Sequence, residues 1–433
     1  MGDDGRLRVS GVDLARLARR YGTPLYVYDA ATIRAAYRAY RSAFRPYRPF
    51  RVSYAIKACA LLGAARILAE AGADASAASF GEVLAARRAG FRAERIQLHG
   101  NAKTEDELRG ALRAGVGRIV IDGADEIATL RGLVRRRGVA QAVWLRVSPG
   151  ITSDTHPHLR TGALDSKFGA PLATGDALAQ ARAIAATPGL RLVGIHAHLG
   201  TELHEADRYR ELATMLVAFA REIRAFGVRI REIGVGGGLN IPLRPDDHVL
   251  GMTEYARAVG PAIRAASDLR ATIYLEPGRS LVGRAGVALY RVVGTKRVSG
   301  VRTFVSVDGG MGDNIRPALY GAEYTAVLAD RASAPPDEEV AIAGRYCESG
   351  DLLIRSVALP TARPGEVLAV PGAGAYAVAM ASNYNYHVRP AVALIDGGRV
   401  RLIRKRERHA DIWRLEAPAA KGRRVAAAEK KRP

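Results

Sequence analysis

The sequence contains only two cysteines, Cys59 and Cys347, in 433 residues. A disulfide framework is therefore excluded, and this composition is typical of a protein from a reducing compartment. Long apolar runs are also missing, because the longest uncharged stretch, 367–388, is interrupted by Pro371 and by glycine, asparagine and serine residues. Such a stretch does not predict a membrane span. The first five residues are acidic and lack an apolar core, so we expect no signal peptide and a cytoplasmic protein.

Lysine is scarce and arginine abundant: only 8 of the 65 basic residues are lysines, and the formal net charge is +22. That charge would suit a nucleic-acid partner. The arginines, however, are spread along the chain as single polar positions in alanine-rich helical segments such as 178–184, which indicates a compositional bias instead. We therefore expect no nucleic-acid partner. The one dense basic run, 421–433, has no apolar pattern and predicts a disordered tail.

A hydrophobic fraction of 48% and a charged fraction of 25% are those of a globular protein, and the length suggests two or three structural units. Between residues 51 and 278, short apolar runs alternate with alanine- and leucine-rich stretches of helical period, among them 81–89, 104–114 and 205–226. The apolar runs predict eight strands at Arg51–Ile56, Ala73–Ala77, Arg95–Leu98, Arg118–Ile121, Ala142–Val147, Leu192–His196, Ile230–Val235 and Thr272–Leu275. Eight alternations of this length indicate a TIM-type parallel (β/α) barrel. The alternative, a doubly wound open sheet, would need a glycine-rich turn after the first strand, where the sequence has none.

Beyond Gly283 the pattern changes to β-branched or alternating runs separated by turn signals. These runs predict strands at Ala288–Thr295, Thr303–Val307, Val340–Ala343, Val367–Val370, Ala391–Ile395 and Val400–Ile403. The N-terminal segment Pro24–Asp29 also has strand character and could join them. We therefore expect three parts: a barrel domain at 35–280, a β domain formed by 1–34 and 281–420, and the tail at 421–433.

Reactive or glycine-rich residues follow most of the predicted barrel strands. Lys57 follows the first strand, 99–101 the third, 196–201 the sixth, 236–238 the seventh and 276–279 the eighth. A parallel barrel carries its active site at the carboxyl ends of its strands. The sequence therefore predicts that these side chains meet in one site.

The chemistry of these residues suits a phosphorylated cofactor. The glycines 236–238 and the pair Gly278 and Arg279 could bind a phosphate after strands seven and eight. Lys57 near a phosphate and a carboxylate suggests a Schiff base with pyridoxal phosphate, and Glu276 is suited to hold the pyridine nitrogen protonated. His198 could lie over the cofactor ring, and its alternative is a structural histidine. We expect no metal ion.

Several motifs together carry a family resemblance. They are YAIKA (54–58), HAHLGT (196–201), GGG (236–238), EPGR (276–279), the segment 308–322 with RPALY (316–320), CESGD (347–351), GAY (374–376) and SNYN (382–385). With them, the chain resembles the pyridoxal-phosphate decarboxylases of alanine-racemase-like fold over roughly residues 20 to 415, and within that family the diaminopimelate decarboxylases. The resemblance implies pyridoxal phosphate as cofactor and a homodimer with shared active sites.

The resemblance also implies a role for each matching residue. Lys57 would hold the cofactor, His198 would stack on its ring, and Glu276 would bind its pyridine nitrogen. The phosphate would be held by Gly237 or a neighbouring glycine with Gly278, Arg279 and Tyr376. Cys347 would come from the partner subunit and give a proton to the substrate carbon.

The implied reaction is decarboxylation of meso-2,6-diaminopimelate to L-lysine and carbon dioxide. The residues matching the family's readers of the distal ammonium and carboxylate are Arg279, Arg316, Tyr320 and Glu348, with Tyr376 also in the substrate site. Decarboxylation of ornithine, arginine or a carrier-bound amino acid stays open as an alternative. A racemase would need a second base where this chain has Cys347 and Glu348, and an inactive homologue would not need an intact Lys57.

Overall fold

The eight predicted barrel strands form one closed sheet in a computed structural model, which describes residues 4–151, 162, 165–201 and 203–416, apart from the side chain of Ser267. The strands are Phe50–Ala55, Asp74–Ala77, Ile96–Leu98, Arg118–Ile121, Gln141–Ser148, Leu190–His196, Glu232–Gly234 and Thr272–Leu275. All neighbouring pairs are parallel, and the eighth strand pairs with the first. This closure confirms the (β/α) barrel and excludes the open sheet.

The barrel helices lie between successive strands. The α-helices in the described residues are Leu14–Tyr21, Ala30–Ala43, Leu62–Glu70, Phe80–Ala89, Glu105–Ala114, Ala124–Arg137, Asp176–Ala185, Ala206–Arg224, Met252–Ala265, Arg279–Val282, Arg316–Tyr320 and His409–Trp413. The predicted helices at 81–89, 104–114 and 205–226 differ from the observed bounds by one or two residues. Local signals explain one of them well: Thr104 and Glu107 form a capping box, and Gly115 ends the helix with a φ of 70°.

A second sheet is built around the long strand Gly286–Val298, which pairs with three other strands. The N-terminal strand Leu25–Asp29 lies next to it, antiparallel, and also pairs in parallel with Ala391–Asp396. The remaining strands of this sheet are Arg302–Val307, Val327–Leu328, Glu338–Ala343, Leu352–Leu359, Val367–Pro371 and Arg399–Arg404. Short strands also occur at Arg8–Val9, Val12–Asp13 and Ala170–Pro171. One apolar core is continuous from the barrel into this sheet.

Two strands of the second sheet were not predicted. Leu352–Leu359 directly follows the CESGD motif and pairs with Glu338–Ala343, and Val327–Leu328 is only two residues long. The predicted basic tail, 421–433, lies outside the described residues. None of the helices among the described residues combines the length and the apolar character of a membrane span.

One buried carboxylate joins the first three barrel strands at their amino ends. Asp74, 2% exposed, accepts hydrogen bonds from Arg51 Nε at 2.5 Å and Nη2 at 2.8 Å, and from Arg95 Nε at 2.6 Å. Charge-assisted bonds to a buried carboxylate are strong, and removing one partner leaves the other charges unmatched. Asp74 therefore stabilises the part of the barrel that closes against the eighth strand.

We predict that Asp74→Ala lowers the free energy of unfolding by about 2–4 kcal/mol, because three charge-assisted hydrogen bonds are lost together. Chemical denaturation measures this change. Asp106→Ala is the matched control, since Asp106 pairs with Arg109 at 3.0 Å on an exposed helix surface. The control should change stability by less than about 0.5 kcal/mol. Equal effects of the two substitutions would contradict the prediction.

Candidate active site

A cavity of about 230 Å³ lies at the carboxyl ends of the barrel strands. Four of the predicted site residues line it together: Lys57, His198, Gly237 and Glu276. The other lining residues are Ala55, Ser76, Ala78, His99, Gly100, Asn101, Arg146, Phe168 and His196. The structure thus gathers side chains that follow strands one, two, three, six, seven and eight.

Lys57 reaches this cavity because of a short turn. The first strand ends at Ala55, and the 3₁₀ turn Ile56–Ala58 follows at once. Ile56 and Ala58 are fully buried, whereas the Lys57 side chain is exposed to the cavity it lines. The apolar neighbours anchor the turn, and the amine is left accessible to a ligand.

Glu276 is a buried carboxylate, 6% exposed, held by two imidazoles. His196 Nε2 lies 2.6 Å from Glu276 Oε2, and His99 Nε2 lies 3.2 Å from Oε1. Burial alone would raise the pKa of Glu276, but His196 and His99 hold this pKa well below its ordinary value. Burial lowers the pKa of His196 to about 4, so at neutral pH His196 is a neutral imidazole that donates its N–H to the carboxylate.

Trp144 forms the floor beneath this pair. It is fully buried in the fifth strand and lies parallel to the ring of His196, with 6.4 Å between ring centroids and 14° between planes. Its indole N–H donates to Glu232 Oε2 at 2.8 Å, deeper in the barrel. The indole therefore lies nearly parallel to the His196 ring and is itself oriented by Glu232.

His198 lies on the other side of the cavity, after the sixth strand. The backbone N–H of Gly237 donates to His198 Nδ1 at 3.3 Å, which fixes this nitrogen as an acceptor. Burial, and next the charge of Lys57, lowers the pKa of His198 well below its ordinary value. A neutral, oriented imidazole beside Lys57 can pack on a flat ligand without adding positive charge to it.

The glycine loop 236–238 passes close to the eighth strand. A Cβ on Gly237 would lie 2.2 Å from the carbonyl oxygen of Glu276, and Gly236 has a φ of 67°. No side chain fits at Gly237, so the loop presents bare backbone to the cavity. This close approach is the structural reason for the glycine signal seen in the sequence.

Gly278, Arg279 and Tyr376 lie beside the cavity, against the turn that carries Lys57. A Cβ on Gly278 would lie 3.0 Å from Ala58 Cβ, and the N–H of Tyr376 donates to the carbonyl of Ala58 at 2.8 Å. The Arg279 guanidinium lies 5.3 Å from the centroid of the Tyr376 ring. Tyr376 adopts a φ of 60°, a strained value for a residue with a side chain, which is typical of functional loops.

Seven of the predicted residues do not line the cavity within the described part of the chain: besides Gly278, Arg279 and Tyr376, these are Arg316, Tyr320, Cys347 and Glu348. Arg316 is 1% exposed and donates from Nη1 to the Tyr324 hydroxyl at 2.6 Å, and Tyr320 closes the same short helix. Cys347 and Glu348 are exposed at the surface of the second sheet region. One chain thus holds the amine and carboxylate of the predicted site, but does not bring its predicted proton donor to them.

Two cavity residues that carry charge or aromatic area, Arg146 and Phe168, were not predicted from the sequence. Arg146 lies within the apolar fifth strand, with its guanidinium 4.2 Å from the Phe168 ring centroid and its Nε 3.8 Å from Asp122 Oδ1. Burial lowers the pKa of Arg146, while the charges of Asp122 and Glu276 oppose that shift. An arginine inside an otherwise apolar strand was the available signal. His99 follows the third predicted strand, but its spacing does not indicate the contact with Glu276.

The residues around Glu276 could contact either a metal ion or the ring nitrogen of a cofactor. The ligand atoms of His99, His196 and Glu276 lie within 4.8 Å of one another, close enough to hold a metal ion. They also suit a pyridine nitrogen, because an ionised buried carboxylate can accept its N–H. The amine of Lys57, the bare glycine loop and the nearby Arg279 complete a donor set that fits pyridoxal phosphate: an aldehyde, a phosphate and a ring nitrogen.

Comparisons with known proteins agree with this geometry. Residues 30–283 match the family model of the pyridoxal-dependent decarboxylases, pyridoxal binding domain. Diaminopimelate decarboxylase of Bacillus subtilis (strain 168) is 40% identical over 424 residues, which are 96% of this chain and 97% of that protein. The enzyme of that name from Actinosynnema pretiosum subsp. auranticum is 42% identical over 95% of this chain and 93% of its own length.

Solved structures show the same similarity. The crystal structure of diaminopimelate decarboxylase from M. jannaschii in complex with L-lysine superposes with a TM-score of 0.90 at 32% identity. It covers 96% of this chain, and this chain covers 97% of it. The similarity therefore includes both the barrel and the second sheet.

We predict a pH effect on stability that arises from His196. Its pKa of about 4 lies below the value of about 6.5 in an unfolded chain, so between these values the unfolded state binds more protons and stability falls as the pH falls. His196→Gln keeps an N–H donor for Glu276 and does not titrate. Between about pH 6.5 and about pH 4, His196 should cost the unmodified protein on the order of 3 kcal/mol of stability, and the variant should not show this loss.

The measurement is the free energy of unfolding by urea across that pH range, for the unmodified protein and the variant. His204→Gln is the matched control, because His204 is exposed and lies outside the cavity. The control should leave the pH dependence as it is. If His196→Gln shows the same slope as the unmodified protein, His196 is not the buried neutral group described above.

Proposed function

The chain belongs to the pyridoxal-dependent decarboxylases, among the diaminopimelate decarboxylases, and from this membership we propose that it converts meso-2,6-diaminopimelate to L-lysine and carbon dioxide. Its cofactor is pyridoxal phosphate, as for the rest of the family. The single observation that carries the proposal is the convergence of Lys57, His198 and Glu276 on one cavity at the mouth of the barrel. These are the amine, ring-packing and carboxylate groups that such a reaction needs.

Pyridoxal phosphate, when bound, supplies an electron sink for the electron pair left on the substrate carbon as carbon dioxide departs. Lys57 would hold the aldehyde carbon of the cofactor, and Glu276 would accept the N–H of the pyridine ring. Because His196 and His99 keep Glu276 ionised, its negative charge favours a protonated ring nitrogen. His198, held by the Gly237 amide, would pack against one face of the ring.

The phosphate would be held by the glycine loop around Gly237 with Gly278, Arg279 and Tyr376. All of these lie within or beside the cavity, and two of them contact Ala58 in the turn of Lys57. Backbone amides and a guanidinium suit a phosphate dianion. Cofactor attachment at Lys57 and phosphate binding would thus share one rigid support.

The distal end of the substrate carries both an ammonium and a carboxylate. We propose that Arg279, Arg316, Tyr320, Glu348 and Tyr376 read this end, with guanidinium groups facing the carboxylate and Glu348 facing the ammonium. In the chain described here, Glu348 and Cys347 are exposed and lie outside the Lys57 cavity. A homodimer would bring them to the cavity of a second copy, where Cys347 would give its proton to the substrate carbon after carbon dioxide leaves. The two free thiols in the described residues are consistent with our proposal of a cytoplasmic protein.

The substrate is tested by incubating the cofactor-loaded protein with meso-diaminopimelate, ornithine, arginine and lysine, and measuring carbon dioxide release. We expect kcat/KM for meso-diaminopimelate to exceed the others by at least about 100-fold, because a site built to pair a distal carboxylate rejects substrates that lack it. Lys57→Ala serves as the control and should release no carbon dioxide from any of them. A faster reaction with ornithine would refute the substrate, while leaving the family membership intact.

The shared site is tested by complementation. Lys57→Ala and Cys347→Ala chains with different affinity tags are co-expressed, and protein carrying both tags is isolated. Each variant alone should have little activity, whereas a mixed dimer has one site with both residues intact. The doubly tagged protein should therefore recover about half of the activity of the unmodified protein, and an unsorted population about a quarter. Mixed dimers that stay as inactive as the separate variants would show that Lys57 and Cys347 act in the same chain or not at all.

A further inference from the structure

The backbone around Cys347 is held by hydrogen bonds, although its side chain is exposed. The N–H of Cys347 donates to Asn385 Oδ1 at 3.0 Å, and the N–H of Tyr346 donates to Asp351 Oδ2 at 2.7 Å. One residue earlier, the N–H of Arg345 donates to the carbonyl of Gly309 at 3.0 Å. The backbone N–H groups of residues 345–347 are thus fixed, and the Cys347 thiol is exposed to solvent.

Asp351 joins this segment to a second loop. Its Oδ1 accepts the N–H of Met311 at 2.6 Å, while its Oδ2 accepts the N–H of Tyr346. The carboxylate is 4% exposed and has a glycine on each side: a Cβ on Gly310 would lie 2.5 Å from it, and one on Gly344 would lie 2.1 Å from it. Both loops are therefore shaped around this one side chain, and no larger group fits in its place.

The loop that Asp351 binds leads directly to Arg316. It is fixed from its other side by Asp313, which accepts the N–H of Gly310 at 3.3 Å and the Tyr290 hydroxyl at 2.8 Å. Tyr290 belongs to the long strand Gly286–Val298. Cys347, the proposed proton donor, and Arg316, the proposed reader of the distal carboxylate, are therefore linked through one network of hydrogen bonds.

Asn385 holds the Cys347 segment from the opposite side. It adopts a φ of 50°, and the residue before it, Tyr384, stacks on Tyr346 with 9° between the ring planes. The Tyr384 hydroxyl also donates to the Glu348 carboxylate. The backbone around Cys347 is thus held by hydrogen bonds to the Asp351 carboxylate on one side and to Asn385 on the other.

We propose that Asp351 and Asn385 are positioning residues for Cys347, which hold its backbone so that the thiol meets the substrate carbon in a single orientation. This inference rests on the proposed function, in which Cys347 is the proton donor. In that step the S–H bond of Cys347 breaks and a C–H bond forms with the electron pair that had joined the lost carboxylate, which leaves a thiolate for solvent to reprotonate. A donor displaced by even a short distance transfers its proton poorly.

The test is a double-mutant cycle of Asp351→Asn and Cys347→Ala with meso-diaminopimelate. Asparagine keeps the size of aspartate but turns an NH₂ group toward one of the two backbone N–H donors. Alone, Asp351→Asn should lower kcat on the order of 10- to 100-fold with KM changed less than about 3-fold. In the Cys347→Ala background it should lower kcat by less than about 2-fold more, because the group it positions is already absent.

Asp330→Asn is the matched control for the carboxylate. Asp330 accepts the N–H of Val367 at 2.9 Å in the same sheet, away from the Cys347 segment. It should leave kcat within about 2-fold of the unmodified protein even if it lowers the melting temperature. If the losses from Asp351→Asn and Cys347→Ala instead multiply, Asp351 does not act through Cys347 and the inference is overturned.

A second pair of variants covers the case in which Asp351→Asn does not fold. Asn385 is exposed, so its variants should fold, and glycine accepts its positive φ without strain. Asn385→Gly removes the acceptor for Cys347 N–H and should lower kcat about 3- to 10-fold, whereas Asn385→Asp keeps an acceptor oxygen and should not. Equal rates for these two variants would overturn the role of Asn385.

The outcomes separate this inference from the function on which it rests. If Cys347→Ala itself leaves kcat unchanged, Cys347 is not the proton donor, and both the donor assignment and the positioning role fail. If Cys347→Ala is slow while Asp351→Asn and Asn385→Gly match the unmodified protein, only the positioning role fails.

Discussion

Pairing of the eighth barrel strand with the first is the constraint on which the site depends. This seam joins Thr272–Leu275 to Phe50–Ala55, so that the residues after the two strands, Glu276 and Lys57, face the same opening although most of the barrel sequence separates them. The glycine loop at Gly237 lies against the backbone of Glu276 because the seventh and eighth strands are direct neighbours. Without the seam, the amine and the carboxylate would belong to opposite edges of an open sheet.

Closure creates an energetic cost as well as a site, because it places an ionised carboxylate in a barrel interior. The groups in contact with the carboxylate, and those packed behind them, offset this cost. His196 and His99 contact Glu276 directly, and Trp144 supports the plane of His196 from below. Burial keeps His196 neutral, so the carboxylate retains its negative charge for a ligand in the cavity. The buried, ionised state of Glu276 thus depends on the side chains packed around it.

The fold and a part of the site were predictable because their signals are local. Short apolar runs marked every barrel strand, and the position of Lys57, His198 and Glu276 just after such runs indicated a common location. Specific contacts across the barrel leave a weaker signal: the position of His99 after the third strand predicted the same site but not its contact with Glu276, and Arg146 was marked only as an arginine inside an apolar strand. The distance of Cys347 from the Lys57 cavity was also beyond reach from spacing alone, although the family resemblance implied a partner subunit.

The position of the N-terminal strand has a consequence for the order in which the chain can fold during synthesis. Leu25–Asp29 is made early, yet its partners are Gly286–Val298 and Ala391–Asp396, which leave the ribosome only after the entire barrel and near the end of translation. Until then a fully buried apolar strand has two unpaired edges, and such edges promote association with other chains. The second sheet is therefore a late, high-contact-order assembly, in which the N-terminal strand gains its first partner only after the barrel and its second only near the end of synthesis.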